Sequence, residues 1–131
     1  MPVAKIVILN WNGAEHLRRF LPSVVAAAPA GVEVMVADNG STDDSLRVLA
    51  TEFPSVGVLR LDANYGFAGG YNQALKQVEA DYYLLLNSDI ETPEGWLAPI
   101  LDVLEREPDV AVVSPKLISW TDRTKFEYAG A

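Results

Sequence analysis

The sequence contains no cysteine and a single histidine, His16. Without cysteine it offers no disulfide, no thiolate nucleophile and no Cys-based zinc site. One histidine likewise gives no multi-histidine metal centre and no credible Ser-His-Asp arrangement, and His16 is interpreted as a solvent-exposed helix residue. Any metal bound by these residues must therefore be held by oxygen ligands.

Basic residues are scarce as well. Ten lysines and arginines stand against eighteen acidic residues, which gives a formal net charge of -8. Such a chain repels a phosphate polymer and has no basic stripe to follow one, so no nucleic-acid partner is expected. A small phosphorylated ligand remains compatible with this charge if a cation screens it.

Long apolar runs are also missing. No stretch approaches the ~20 residues of a membrane span, and the N-terminus lacks the apolar region of a signal peptide. The expected location is therefore the cytoplasm. The 131 residues, of which 50% are hydrophobic, suffice for one domain with a real core.

Apolar, β-branched runs alternate with segments of helical periodicity along the chain. This order predicts an α/β fold, specifically a three-layer α/β/α sandwich on a mainly parallel sheet with right-handed crossovers. Strands are predicted at 5–9, 32–37, 56–61, 82–86 and 110–113. Helices are predicted at 15–28 and 44–51, after the segment 67–72, and through 96–104, whereas 121–131 shows no convincing element.

Three helices and one strand carry more specific expectations. Pro22 is expected to kink the first helix or end its first half. Ser41 or Thr42 is expected to cap the second helix, and Thr92 with Pro93 to begin the fourth. The run 82–86 is expected to be a strand that is covered on both faces.

Polar residues follow four of the predicted strands. In open parallel sheets ligands bind outside the carboxyl ends of the strands, so these clusters should converge on one crevice. Turn-forming residues ordinarily follow strands, and that alternative accounts for Asp62 by itself. The four clusters are 10–12, Asp38 with Asn39, Asp62 with Asn64, and Asn87 with Asp89.

Asn87 and Asp89 are separated by one residue at the end of the predicted fourth strand. Side chains alternate in extended chain, so both are predicted to point the same way and to be able to touch one cation. Oxygen ligands favour Mg²⁺ or Mn²⁺, which usually keep waters and share their coordination with substrate phosphates. Ordinary turn chemistry is the alternative for such a triplet when it is considered alone.

Two common nucleotide motifs are absent from the sequence. The first predicted strand is followed by Asn10-Trp11-Asn12-Gly13-Ala14 rather than by Gly-x-Gly-x-x-Gly, and neither glycine cluster is followed by Lys-Ser or Lys-Thr. A Rossmann dinucleotide site and a Walker P-loop are therefore not predicted.

Four ordered segments resemble the successive blocks of family 2 glycosyltransferases of the GT-A fold. They are residues 5–13, 34–43, 64–72 and 84–89, and the bacterial rhamnosyltransferase-like subgroup is the most similar. The resemblance runs from Lys5 to about Leu117. Four blocks in one order are far more specific than any one of them.

This resemblance implies an inverting, metal-assisted transfer of a sugar from a dTDP-, UDP- or GDP-linked donor to a glycan or lipid-linked acceptor, in the synthesis of a cell-surface polysaccharide or glycoconjugate. It also implies a cytoplasmic protein that works at the inner face of the membrane, with peripheral membrane association through segments outside this sequence. The implied metal ligands for Mg²⁺ or Mn²⁺ are Asp89 and Asn87. The implied nucleotide-sugar site consists of Asn10, Trp11, Asp38, Asn39, Asn64, Gly66, Gly70 and Asn72.

The sequence departs from the family pattern at two positions. Asn87 replaces the acidic first member of the metal motif, so Asp89 is expected to be the principal protein ligand. Asn39 stands where many members carry a second acid, which leaves the base preference open.

A third departure concerns the acceptor site and the general base, which family members carry after the metal motif. No matching segment precedes Ala131, and no catalytic residue is identified. The expectation is a single domain over residues 1–131, truncated after the donor-binding half. Two alternatives stay open: a nucleotide-sugar-binding module without turnover, and a purely structural α/β domain.

Overall fold

The computed structural model describes residues 3–113, 117–118 and 126–128. The chain divides into two compact units, Met1–Glu94 and Gly95–Ala131. The first unit contains β1 Ala4–Asn10, α1 Ala14–Ala27, β2 Glu33–Asp38, α2 Ser45–Glu52, β3 Gly57–Arg60, α3 Gly66–Leu75 and β4 Tyr82–Asn87. The second contains α4 Ala98–Arg106, β5 Leu117–Ile118 and β6 Phe126–Tyr128.

The sheet of the first unit has the strand order β3-β2-β1-β4, and every pair in it is parallel. Ile6 of β1 stands opposite Val34 of β2 on one side and Leu84 of β4 on the other. Right-handed crossovers place α1 and α2 on one face, and α3 on the opposite face because the chain changes direction across the sheet after β3. The predicted three-layer α/β/α architecture is confirmed.

The core lies on both faces of β1, which explains its nearly continuous apolar sequence. On one face, Val7 and Ala37 pack against Tyr71 and Ala74 of α3. Alternate residues of the same strands point to the opposite face, where α1 lies. The fully buried side chains there include Ile6, Ile8, Val36, Leu17, Leu21 and Val24.

Tyr71 of α3 links β1 and β4 near the carboxyl ends of these strands. Its hydroxyl donates a hydrogen bond to the carbonyl of Leu86 in β4 at 2.9 Å and accepts one from the amide of Leu9 in β1 at 3.4 Å. The ring is buried, and this burial raises the pKa of the Tyr71 phenol. The hydroxyl therefore stays protonated and keeps its donor hydrogen.

Of the two outcomes expected at Pro22, an end of the helix is not observed, because α1 runs without interruption through this residue. Proline costs a helix one backbone hydrogen bond, and two neighbouring side chains offset that loss. Leu21 and Val24, on either side of Pro22, are almost completely buried. In addition, the Ser23 hydroxyl donates to the carbonyl of Phe20 at 2.8 Å.

The predicted helix starts are also corrected. α2 begins at Ser45 after Asp44, so neither Ser41 nor Thr42 occupies its N-cap. α4 begins at Ala98 with a proline in its first turn, so Thr92 and Pro93 precede the helix rather than start it. α3 begins at Gly66 and includes the segment 67–72, which was expected only to lead into the helix.

Three expectations about strands are wrong. Tyr83 and Leu85 are 38% and 52% exposed, because within the described residues β4 pairs only with β1 and forms the sheet edge. Residues 110–113 form no strand although their sequence is apolar. β6 Phe126–Tyr128 pairs antiparallel with β5 in a region where no element was predicted. Short pairings of this kind depend on a partner strand rather than on local sequence.

No helix in the described part of the chain is both long enough and apolar enough to cross a lipid bilayer.

Replacing Tyr71 with Phe is expected to lower the free energy of unfolding by about 1–2 kcal/mol, because it leaves a partly buried carbonyl without its donor. Urea denaturation measures the change. Tyr82→Phe is the matched control: its hydroxyl has no hydrogen bond to the described residues, so less than about 0.5 kcal/mol is expected. Equal losses in the two variants would show that the Tyr71 bridge adds nothing.

Candidate functional site

The site lies where the strand order reverses, between the carboxyl ends of β1 and β4. Ligands of open α/β sheets bind at such a switch point. The loops after the two strands are in close contact at Gly13: a Cβ atom there would lie 2.5 Å from Asn10 Oδ1 and 3.5 Å from Ser88 Oγ. Glycine thus allows the β1 loop to approach the β4 loop.

Asn10 and Asp38 lie buried at the carboxyl ends of β1 and β2, at the edge of the sheet where a ligand crevice is expected. They are register partners at the ends of β1 and β2 and are 0% and 2% exposed. Asn10 Nδ2 donates to Asp38 Oδ1 at 3.1 Å, and the amide of Ser41 donates to Asp38 Oδ2 at 3.0 Å. Both carboxylate oxygens therefore have a partner. Asn10 Oδ1, in contrast, is buried and has no hydrogen-bond partner.

Asn39 connects the end of β2 to the start of α3. Its Nδ2 donates to the carbonyl of Gly66 at 3.0 Å and to Asn64 Oδ1 at 3.2 Å, while its Oδ1 accepts from the amide of Tyr65 at 3.0 Å. Asn64 Oδ1 also accepts from the amide of Gly66 at 2.8 Å. One buried amide thus fixes the backbone of the 64–66 loop.

Gly70 is where α3 comes closest to the strand ends. A Cβ atom at this position would lie 2.8 Å from Leu9 Cδ1 and 2.9 Å from Asn39 Nδ2. Contacts this short are not tolerated without movement of the neighbours. Gly70 therefore permits the close approach that brings the 64–66 loop over β2.

Three aromatic side chains remain exposed in the segments around the crevice. Trp11 is 55% exposed, Tyr65 39% and Phe67 66%.

The Tyr65 hydroxyl donates to the Asp62 carboxylate, and this hydrogen bond, together with desolvation, raises the pKa of Tyr65. The Asp62 carboxylate thus accepts a hydrogen bond within its own loop, which agrees with the interpretation of Asp62 as a turn residue.

Asn87 and Asp89 lie at the end of β4 and are both exposed. Asp89 forms no hydrogen bond or ion pair with the described residues. Across those same residues no group of three histidine, cysteine or acidic side chains could hold a metal. At the end of β4, Asp89 and Asn87 thus provide one carboxylate without a partner among the described residues and one amide, a donor set that fits a hard cation whose other ligands are phosphates and waters.

Asn12 and Asp43 have structural roles at the site that the sequence analysis did not predict, although it placed Asn12 in the 10–12 cluster. Asn12 has a φ of 49°, and its Oδ1 accepts from the amides of Thr42 at 2.7 Å and Asp43 at 3.1 Å. Asp43 Oδ2 accepts from the amide of Ala14 at 3.1 Å, and its Oδ1 from that of Ser45 at 2.9 Å. One carboxylate thereby caps both α1 and α2.

The sequence gives only weak indications of the structural roles of Asn12 and Asp43. Asn precedes Gly at 12–13, which is typical of a turn, and Asp43 lies two residues before a helix start. Partial burial on its own raises the pKa of Asp43, but hydrogen bonds from Ser45 and Ala14 outweigh it and lower the pKa below 3.8.

The predicted convergence of the polar clusters is observed in part. Hydrogen bonds join the clusters after β1, β2 and β3, and Ser88 of the β4 cluster lies near Gly13. Asn72, Asn87 and Asp89 are exposed, and their side chains form no hydrogen bond with the other predicted site residues.

Comparison with known proteins agrees with this architecture. The sequence matches Glycosyl transferase family 2 over residues 5–128, so the chain belongs to this family, as its four motif blocks predicted. It is 28% identical over 124 residues to an N-acetylglucosaminyl-diphospho-decaprenol L-rhamnosyltransferase of Mycobacterium tuberculosis, a match that covers 86% of this chain and 40% of the relative.

Two further matches come from other bacteria. The chain is 33% identical over 113 residues to an undecaprenyl-phosphate 4-deoxy-4-formamido-L-arabinose transferase of Sodalis glossinidius, covering 80% of this chain and 34% of the relative. The fold of this chain is similar to that of S. aureus TarS 1-349 in complex with UDP-GlcNAc. The TM-score is 0.69 and the identity 20%, and the match covers 88% of this chain and 38% of TarS 1-349. The GT-A fold is thereby confirmed. The chain spans about two fifths of the length of the first relatives it matches.

Asp43→Ala is expected to lower the free energy of unfolding at neutral pH by about 1–2 kcal/mol, because two helix caps are lost. Since its folded pKa is lowered, the stabilisation by Asp43 is fully present above pH 3.8 and disappears as the pH falls through the folded pKa. The difference from wild type should therefore shrink at about pH 3. Urea denaturation at both pH values measures it.

Asp44→Ala is the matched control for Asp43→Ala. Asp44 occupies the N-cap of α2 but makes no capping hydrogen bond, and it pairs only with the exposed Arg47. Exposed pairs contribute at most about 1 kcal/mol. An Asp44 loss as large as the Asp43 loss would refute the double cap.

Proposed function

We propose that this domain binds a nucleoside diphosphate sugar and transfers its sugar to a glycan or lipid-linked acceptor. The observation that carries the proposal is a row of buried polar side chains at the switch point of a family 2 chain, beside the exposed Trp11 that follows Asn10. Asn10, Asp38 and Asn39 form this row. Such a site suits a small polar ligand better than it suits a protein partner.

The base of the donor is proposed to pack on the exposed indole of Trp11. Aromatic side chains pack favourably on flat rings, and Trp11 is held at the end of β1 with more than half of its surface free. Asp38 and Asn39 keep acceptor capacity after their internal hydrogen bonds, because each carbonyl or carboxylate oxygen has two lone pairs. Asn64, Gly66, Gly70 and Asn72 are proposed to border the rest of the nucleotide.

The diphosphate is proposed to bind together with Mg²⁺ or Mn²⁺, held by Asp89 and Asn87. Family 2 glycosyltransferases generally use a divalent metal. The exposed carboxylate of Asp89 at the end of β4 pairs with no described residue and is available as a ligand. When bound, such a cation offsets the negative charge of the diphosphate leaving group. With a net charge of -8, the chain gives a diphosphate little attraction of its own.

The proposed transfer is inverting. The acceptor hydroxyl oxygen attacks the anomeric carbon while the bond from that carbon to the diphosphate oxygen breaks, and the hydroxyl proton passes to a base. We assign that base to no described residue. Two similar relatives are named for polyprenyl-linked molecules, which supports a lipid-linked acceptor and work at the cytoplasmic face of a membrane in cell-surface polysaccharide synthesis.

Binding of UDP, dTDP or GDP is expected to depend on Mg²⁺ or Mn²⁺ and to weaken about 10-fold or more in EDTA. Asp89→Ala should remove this metal dependence. Glu79→Ala, which deletes an equal charge at an exposed position before β4, should retain it. Calorimetry measures the affinities, and equal affinity with and without metal would eliminate the role of Asp89.

Sugar transfer is tested with a panel of UDP-, dTDP- and GDP-linked sugars and polyprenyl-diphosphate-linked acceptors. One donor is expected to release nucleoside diphosphate, with formation of a glycoside of inverted anomeric configuration, and Asp89→Ala should lower the rate about 100-fold or more. Nuclear magnetic resonance of the product gives its configuration. Donor binding without any product would favour the nucleotide-sugar-binding module over the enzyme.

A further inference from the structure

Two loops of the site are tied together in both directions. The Asn12 side chain reaches from the β1 loop to the backbone amides of Thr42 and Asp43, at 2.7 and 3.1 Å. The Asp43 side chain reaches back to the amide of Ala14 at 3.1 Å. These reciprocal hydrogen bonds are called the 12–43 clamp below.

Trp11 lies between two anchored neighbours. On one side, Asn10 is buried and donates to Asp38 and, at 3.4 Å, to Ser41 Oγ. On the other side, the amide of Asn12 donates to the same Ser41 Oγ at 2.9 Å. The indole itself is 55% exposed. Its direction therefore depends on the backbone at 10–12 rather than on a surrounding core.

We infer that Asn12, through the 12–43 clamp, is a positioning residue that holds the Trp11 indole in place for the nucleobase. The inference rests on the proposed base-stacking role of Trp11. Asn12 touches no ligand in this scheme and acts only by fixing its neighbour. A side chain that is ordered before binding loses less conformational entropy when the ligand arrives, so affinity rises without a new contact.

Asn12 suits this role because of its backbone and its surroundings. Its φ of 49° lies in the left-handed region, which asparagine tolerates better than most residues. Its side chain is exposed and contributes nothing to the core. Loss of its hydrogen bonds should therefore affect the loop far more than the overall fold.

Two variants separate the side chain of Asn12 from its backbone conformation. Asn12→Gly removes the acceptor oxygen while leaving the positive φ unstrained. Asn12→Asp keeps an acceptor oxygen at the same place and serves as the conservative control. Both are compared in the wild-type chain and in a Trp11→Ala background, using whichever of UDP, dTDP and GDP binds the wild type most tightly.

In the wild-type background, Asn12→Gly is expected to weaken nucleotide binding roughly 3- to 10-fold, and Asn12→Asp by less than about 2-fold. Trp11→Ala alone should weaken it about 5-fold. In the Trp11→Ala background, Asn12→Gly should add less than about 2-fold, because its effect passes through the indole. An equal Asn12→Gly loss in both backgrounds would overturn the inference.

A measurement without nucleotide tests the inference separately from the proposed function. The indole N–H signal of Trp11, identified by its loss in Trp11→Phe, reports indole order through its ¹⁵N relaxation. Asn12→Gly should increase the motion of this indole, and Asn12→Asp should not. The indole of Trp96, whose Nε1 is buried, is the internal reference and should stay rigid in every variant.

The two failures are distinguishable. Unchanged affinity in Trp11→Ala, or no nucleotide binding at all, refutes the base-stacking role, and the relaxation data then decide whether Asn12 orders the indole. An equally mobile Trp11 in wild type and Asn12→Gly overturns the inference. Urea denaturation of Asn12→Gly should give a midpoint close to wild type, and a large decrease would show a general structural role instead.

Discussion

Parallel pairing of β1 on both of its sides is the constraint on which the site depends. Because β2 lies on one side of β1 and β4 on the other, the chain must change direction across the sheet after β3. That change puts α3 on the face opposite α1 and α2 and opens a crevice at the carboxyl ends of β1 and β4. Tyr71, which bonds to both strands, stabilises the sheet at this point.

Hydrogen bonds of the neutral side-chain amides of asparagines hold the loops around the site together. Asn10 reaches Asp38, Asn12 reaches the 42–43 backbone and Asn39 reaches the 64–66 loop. An amide both donates and accepts, so it can join two loops without adding charge to a chain that is already strongly acidic. The carboxylate of Asp38 has a donor on each oxygen. Asp89 stays exposed and unpaired with the described residues, which leaves it available to a cation.

Local sequence was sufficient for the elements of the sheet unit and for the family. Its four strands were predicted because each is a short apolar run bounded by polar residues, and that signal is strong when a strand is covered by helices. Local sequence failed at 110–113, where an apolar run is not a strand, and it did not show that α1 continues past Pro22. The exposure of Tyr83 and Leu85 was also unforeseen, because a sequence shows neither strand order nor which strand lies at an edge.

The sequence by itself determined the alternation of strands and helices, the polar residues after each strand, and the four motif blocks, because all of these are encoded in short segments. Only the tertiary structure decided which polar residues bond to which. Asn10 and Asp38 are distant in sequence and become partners solely through the register of β1 with β2. Asn12 and Asp43 belong to different loops, and the hydrogen bonds that their side chains make to the backbone of the opposite loop exist only because the parallel sheet brings both strand ends to the same edge.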